Sequence, residues 1–289
     1  MSNLKNIHSV VEQFSEQNPD QWNTSALGVT RLETQIPFLE SVQTPNVNIV
    51  VVGGLVGGEA DVNTSIKAIE ACVDSTLNIS IAPCINIDGY EQLQSPNNSS
   101  GGSPSLGYPP DDGFFNDEEN PESRYMWRWI SYLAPEVVVE ICNGEVVEWE
   151  SNLAAQEIAT DLNANPISKD DSFINALGYS RASGLGAIPA FRLSAPEGSV
   201  VSELTKLIAL SGSSPLSQAR RTLENETLTT LTERFPGIKY AFYGEQKDQA
   251  RSMEELKSGS IFALLAVFVL MAIPLRSYIQ PLIIMSVIP

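Results

Sequence analysis

The residue with the plainest chemical potential is Glu59, which closes the run NIVVVGGLVGGE at residues 48–59, where a strand passes into a glycine turn and delivers a carboxylate. Two further polar groups stand at corresponding places. Asn86 opens the turn Asn86-Ile-Asp-Gly89 after LNISIAPCIN, and Cys142 closes PEVVVEIC. A carboxylate and a thiolate are metal ligands, and a cysteine is also a nucleophile when a base activates it. The base is the difficulty: the chain holds one histidine, His8, far from all three groups in sequence. Asp61 and Asn143 are the nearest additional donors. Without a metal, Glu59 at a helix start simply complements the helix dipole, and Cys142 is a small buried side chain. GGLVGG lacks the lysine and hydroxyl of a phosphate-binding P-loop and the spacing of a dinucleotide fingerprint.

These groups meet only if an α/β sheet positions them. The β-branched run NIVVVGG predicts a strand buried on both faces of a parallel sheet. Val62, Ile66, Ile69 and Val73 line one face of a helix over 59–73, and LNISIAPCIN is a second central strand, so the two strands and the helix form a right-handed βαβ unit. Pro121 and Glu122 open a helix through Tyr125, Trp127, Trp129 and Ile130, and PEVVVEICNG is a third buried strand. Sites in such sheets lie outside the carboxyl ends of the strands, which brings Glu59, Asn86 and Cys142 to one edge. Ile7, Val10, Val11 and Phe14 predict an N-terminal helix, and 20–47 a first strand and connector with VTRLETQ alternating. Further on, 150–162 reads as helix, 188–193 as strand and 200–234 as helix interrupted by SGSSP. The stretch 94–121, dense in Ser, Gly, Pro, Asn and Asp, is a long loop.

Composition narrows the function classes. A formal charge of −18, from 17 Lys and Arg against 35 Asp and Glu, argues against a nucleic-acid partner, because phosphate binding needs clustered cations. Cys72, Cys84 and Cys142 are odd in number, widely spaced and without CxxC pairing, which predicts reduced thiols and no structural zinc knot. The 43% hydrophobic content suffices for a substantial core.

In order and spacing over about residues 45–200, GGLVGGE, APCINIDG, PESRYMWRWI and EVVVEICNGE resemble the zinc carboxypeptidase family. Its members carry a GG-x-HGxE-type turn, an NPDG turn, an acidic-proline helix start and a strand ending in a second ligand histidine. The resemblance implies a carboxypeptidase-like fold and a zinc that polarises a carbonyl and activates water. It places Glu59 at the ligand glutamate, Val56 at the first ligand histidine and Cys142 at the second. The late strand AFRL, set against a TFEL-like context, puts Arg192 where the family has its general-base carboxylate, with Glu197 the nearest rival. Ile87 stands for the proline of NPDG. Asn86, Arg124 and Arg128 are the substrate-binding candidates, and Arg181 and Arg192 join the two arginines as partners for a peptide C-terminal carboxylate. Valine has no donor atom, and catalytic zinc takes three protein ligands plus an open position. The resemblance therefore implies zinc as the only cofactor, while the ligand set predicts that none is bound.

The tail carries a different resemblance. Ser258–Leu275, SGSIFALLAVFVLMAIPL, is uncharged over 18 residues between Lys257 and Arg276, about the length that spans a bilayer core. With FPGI, YGEQ and LRSYIQPL around it, the chain from about residue 231 is similar to resistance-nodulation-division transporters, truncated at the start of the next helix. A transporter needs intramembrane ionisable residues, and neither apolar run has one. Lys239, Lys247, Arg251 and Lys257 precede the span and only Arg276 follows, which predicts a cytoplasmic N-terminal domain on a membrane-associated chain.

The expected organisation is an N-terminal helix and strand (1–44), a carboxypeptidase-like α/β domain with a mixed, largely parallel sheet flanked by helices (45–215), a helical linker with a transporter-like extramembrane piece (216–257), and a transmembrane segment with the start of a second (258–289). The expected function is a metal-depleted, catalytically impaired peptidase-like module. The alternatives are an active metallopeptidase or amide hydrolase with an atypical site, and a transporter fragment or chimeric reading frame without joint function.

Overall fold

Three consecutive valines, Val50, Val51 and Val52, are at most 1% exposed in the computed structural model, so their strand is covered on both faces. The structure describes residues 6–42, 48–73, 75, 77–93, 95–108, 119–167, 172–178 and 187–213. They form strands β1 (Trp22–Val29), β2 (Gln35–Ser41), β3 (Asn48–Gly53), β4 (Asn78–Ala82), β5 (Val137–Asn143), β6 (Glu148–Ser151), β7 (Asn165–Pro166) and β8 (Ala190–Ala195). Helices are α1 (Ile7–Gln17), α2 (Glu59–Ala68), α3 (Pro121–Leu133), α4 (Gln156–Leu162), α5 (Phe173–Leu177) and α6 (Glu197–Ser213).

One sheet of eight strands runs β1-β2-β4-β3-β5-β8-β6-β7. Its four middle strands, β4, β3, β5 and β8, are mutually parallel, and antiparallel pairings flank them. The expected mixed, largely parallel sheet flanked by helices is what the chain forms. The parallel centre is also the most apolar part: Ile49, Ile79, Ile81, Val138, Val139, Phe191 and Leu193 are all at most 1% exposed. Each such side chain contributes about 1.5–3 kcal/mol on burial, which is why β-branched runs occupy the middle of the sheet.

Local chemistry sets the helix ends. Asn6 caps α1 by accepting from Ser9 N at 2.9 Å, and Pro121 sits in the first turn of α3, where its missing N–H costs nothing. Ala134 ends α3 in a left-handed conformation, φ 42°.

Two expectations need correction. VTRLETQ is not one alternating strand: Val29 ends β1, Gln35 begins β2, and residues 30–34 connect them as a hairpin, with Thr30 N donating to Thr34 O at 2.9 Å, Thr34 N donating to Thr30 Oγ1 at 3.2 Å, and Glu33 at φ 63°. Residues 150 and 151 belong to β6, and the α-helix begins only at Gln156. Trp149 is the reason, because its ring packs edge-on to Phe191 at 6.1 Å and keeps the segment in the sheet. Buried Asn152 then ends the strand, donating to Ile174 O and Ile188 O and accepting from Ala154 N and Ala190 N. The three cysteines are free thiols, and burial pushes Cys72 up to about 12.

No helix among the described residues is long and apolar enough to cross a membrane. Arg181 and everything from 214 onward, including the apolar run 258–275, lie outside the described residues.

Candidate functional site

The turn after β3 is built on two glycines that no other residue replaces easily. Gly54 and Gly57 have φ 60° and 68°, and a Cβ on Gly54 would come within 2.9 Å of Cys84 Cα. That closeness locks the exits of β3 and β4 together, with Ile85 N donating to Gly53 O and Asn86 N to Gly54 O, both at 3.0 Å. Asn86 is fully buried inside this lock: Oδ1 accepts from Gly89 N and Nδ2 donates to Pro96 O, both at 3.1 Å. Its side chain holds the turn through both its amide nitrogen and its amide oxygen.

Glu59 begins α2 on the exposed side of the turn, and Val56 is 38% exposed beside it. The acid that reaches the end of β5 is Asp61, one residue beyond the first turn's opening pair. Its Oδ1 accepts from Asn143 N at 2.6 Å, and Thr64 Oγ1 donates to Asn143 Oδ1 at 3.2 Å. Burial raises the Asp61 carboxyl above its ordinary value of 3.8, and the Asn143 N–H opposes the rise.

Alternation along β5 places Glu140 and Cys142 on one face. Strand register does the rest: Glu140 pairs with Arg192 across β5–β8, and Arg192 pairs with Glu150 across β8–β6. The guanidinium lies between the two acids, Nε 2.9 Å from Glu140 Oε2 and Nη1 3.2 Å from Glu150 Oε2. The Cys142 thiol donates to Glu140 Oε1 at 3.7 Å. Glu140 is almost completely buried, and desolvation raises its carboxyl despite the pull of Arg192. Burial works against the charge on Arg192, but Glu140, Cys142 and Glu150 together hold it above its ordinary range, so it stays a cation. Burial, then the charge of Glu140, keeps Cys142 well above a usual thiol, so its sulfur is an S–H donor at neutral pH.

Asp61, Cys142, Asn143, Glu140, Arg192 and Glu150 therefore come together at the carboxyl edge of the sheet. Glu59 and Val56 are exposed at the turn after β3, and Glu197 is exposed in the first turn of α6. Arg124 and Arg128 are on α3: Arg124 lies over the Tyr125 ring at 5.1 Å, and Arg128 is exposed one turn further. As a zinc set the residues do not fit. Val56 has no donor atom, the Cys142 thiol is turned to Glu140 at 3.7 Å, and that same Glu140 is ion-paired to Arg192 at 2.9 Å. Among the described residues no group of three or more His, Cys, Asp or Glu is arranged to hold a metal ion.

Glu140 and Glu150 were not candidates on sequence grounds. Glu140 carried a usable signal, because a charge inside VVVEIC on a doubly buried strand must find a partner. Glu150 carried none, since only the β6–β8 register brings it to Arg192.

No family model matches this sequence, and no curated protein matches it. Solved structures do resemble it. A metallo-carboxypeptidase from Burkholderia cenocepacia superposes with TM-score 0.53 at 11% identity, covering 70% of this chain and 66% of that one. A metallo-carboxypeptidase from Pseudomonas aeruginosa, solved in complex with (2-guanidinoethylmercapto)succinic acid, gives TM-score 0.53 at 11% identity, covering 69% of this chain and 67% of that one. The likeness is one of fold: the α/β domain is carboxypeptidase-like, and it spans about two thirds of each of these proteins.

Proposed function

We propose that this chain carries a carboxypeptidase-like domain that no longer hydrolyses peptides and instead binds peptide C-termini. The observation that carries the reading is the clamping of Arg192 between Glu140 and Glu150. By the resemblance of AFRL to the family's late strand, Arg192 stands where a general-base carboxylate would act. A cation tied to two acids accepts no proton from water. The ligand positions agree with this, since Val56 and Cys142 replace both imidazoles. Arg124, Arg128 and Arg181 are the cations we assign to the peptide carboxylate, and the apolar run 258–275, with its transporter-like surroundings, is the segment we assign to membrane tethering with the domain on the cytoplasmic side.

Metal analysis of the purified full chain tests the central step. The expected result is no stoichiometric zinc, no release of C-terminal residues from peptides, and saturable peptide binding weakened by Arg124→Ala. Stoichiometric zinc that is lost in Glu59→Ala, together with peptide hydrolysis, overturns it in favour of an active hydrolase with an atypical site. Recovery of the full chain in the soluble fraction overturns the tethering.

A further inference from the structure

Away from the Arg192 cluster, two acids are buried where the turn after β4 meets the start of α3. Asp88 is 0% exposed and Glu122 is 1% exposed. Each has one oxygen satisfied by the loop that follows the turn: Ser99 Oγ donates to Asp88 Oδ2, and Asn98 Nδ2 donates to Glu122 Oε2, both at 2.6 Å. The other oxygen of each, Asp88 Oδ1 and Glu122 Oε1, is buried with no hydrogen bond, and so is the next hydroxyl of the loop, Ser100 Oγ. Asn98 cannot serve them. Its Oδ1 already accepts from Ser100 N and Gly102 N, and its Nδ2 also donates to Glu119 O at 2.7 Å.

Native proteins rarely leave buried oxygens unpaired, and a desolvated carboxylate demands a compensating charge. Burial raises the Glu122 carboxyl; its own main-chain N–H and the Asn98 amide oppose the rise, the charge of Asp88 adds to it, and Arg31, an exposed residue of the β1–β2 connection, opposes it. We propose that Asp88, Glu122 and Ser100 bind a hard divalent cation of the calcium class, which fastens the 95–108 loop to α3. The donors are all oxygens, two of them from carboxylates, and this is the preference of Ca2+ and not of zinc or copper. The site is separate from the residues at Cys142 and does not depend on the proposed loss of hydrolysis.

Tb3+, which substitutes for Ca2+, supplies the test on the full chain. Trp127, buried on α3 five residues beyond Glu122, is the antenna for sensitised emission. Expected are Tb3+ luminescence displaced by Ca2+, and a Tm that rises with Ca2+ and falls with a chelator. Ser100→Ala, which leaves both acids in place, should weaken Tb3+ binding by about tenfold or more, and Glu122→Gln should abolish the Ca2+-dependent shift in Tm. No sensitised emission and a Tm indifferent to Ca2+ and chelator would overturn the proposal. A proton shared between Asp88 and Glu122 would then compensate the pair, seen as a Glu122→Gln variant with raised Tm whatever the Ca2+ concentration.

Discussion

Two pockets of buried acid solve the same problem in opposite ways. At β5, β6 and β8, Glu140 and Glu150 share Arg192, so the charge is compensated within the chain and the geometry is fixed by strand register. Between the β4 turn and α3, Asp88 and Glu122 have loop donors on one oxygen each and nothing on the other. The first arrangement is closed by a guanidinium in direct contact with both acids, while in the second the cation acting on Glu122 is the exposed Arg31 and one oxygen of each acid is left bare for an added cation or proton. Direct pairing within the chain is therefore a mark of scaffold here, and bare buried oxygens mark a place where the solution can act on the protein.

The sharpest way to break this contrast is to open the closed cluster. Arg192→Met leaves Glu140 buried without its counter-charge and should cost about 3–5 kcal/mol in denaturant unfolding. Replacing Glu140, Glu150 and Arg192 together by apolar residues of similar volume should recover most of that loss, because the pair's net worth is small compared with the penalty of an orphaned charge. A single-variant cost below about 1 kcal/mol would mean that the cluster is no more than a surface-type ion pair.

The open pair should respond with the opposite sign. In chelator at neutral pH, Glu122→Gln keeps an acceptor for Asn98 and removes a buried charge, so the variant should gain about 1 kcal/mol over the parent. The pH dependence follows from the same physics. Asp61, Glu122 and Glu140 all have carboxyls raised by desolvation above ordinary values of 3.8 and 4.5. A raised folded-state value means that the folded chain holds its proton longer. The stability this gives is fully present below the ordinary value and is lost as pH rises through the folded one. In chelator, Tm should therefore climb as pH is lowered from neutral towards the carboxylate range, helped by relief of the −18 charge. Glu122→Gln and Glu140→Gln should each flatten the climb, and a parent Tm that falls on mild acidification would contradict the assignment.

How much of this was legible in the sequence follows from the range of the forces involved. β3, β4 and β5 are marked by β-branched runs, and the turn after β3 by glycines whose positive φ is a local requirement. The convergence of the ends of β3, β4 and β5 follows from topology and could be read as well. The side chains that gather there could not. Arg192 meets Glu140 across 52 residues and Glu150 across 42, through register that no local pattern encodes. Asn86 drew attention as a cleft residue, yet the buried hydrogen bonds to Gly89 and Pro96 make it part of the turn. At Thr30–Thr34, Thr30, Leu32 and Thr34 recur at every second position and so read as a strand, while the closing bonds of the hairpin come from threonine and main-chain groups.

Asp61 stands between the two cases and gives the smallest and finest test. It is partly buried and raised by desolvation like Glu122, but its Oδ1 has a partner, the Asn143 N–H at 2.6 Å. If that bond is what keeps α2 against the end of β5, an amide should replace the acid at little cost, because Asn presents the same acceptor without the desolvated charge. Asp61→Asn should then lie within about 0.5 kcal/mol of the parent at neutral pH, whereas Asp61→Ala, which leaves the N–H unpaired, should lose about 1–2 kcal/mol. Equal losses in both variants would show that the charge itself is needed at the edge beside Cys142. Asp61 would then belong with the open, ligand-seeking acids and not with the scaffold.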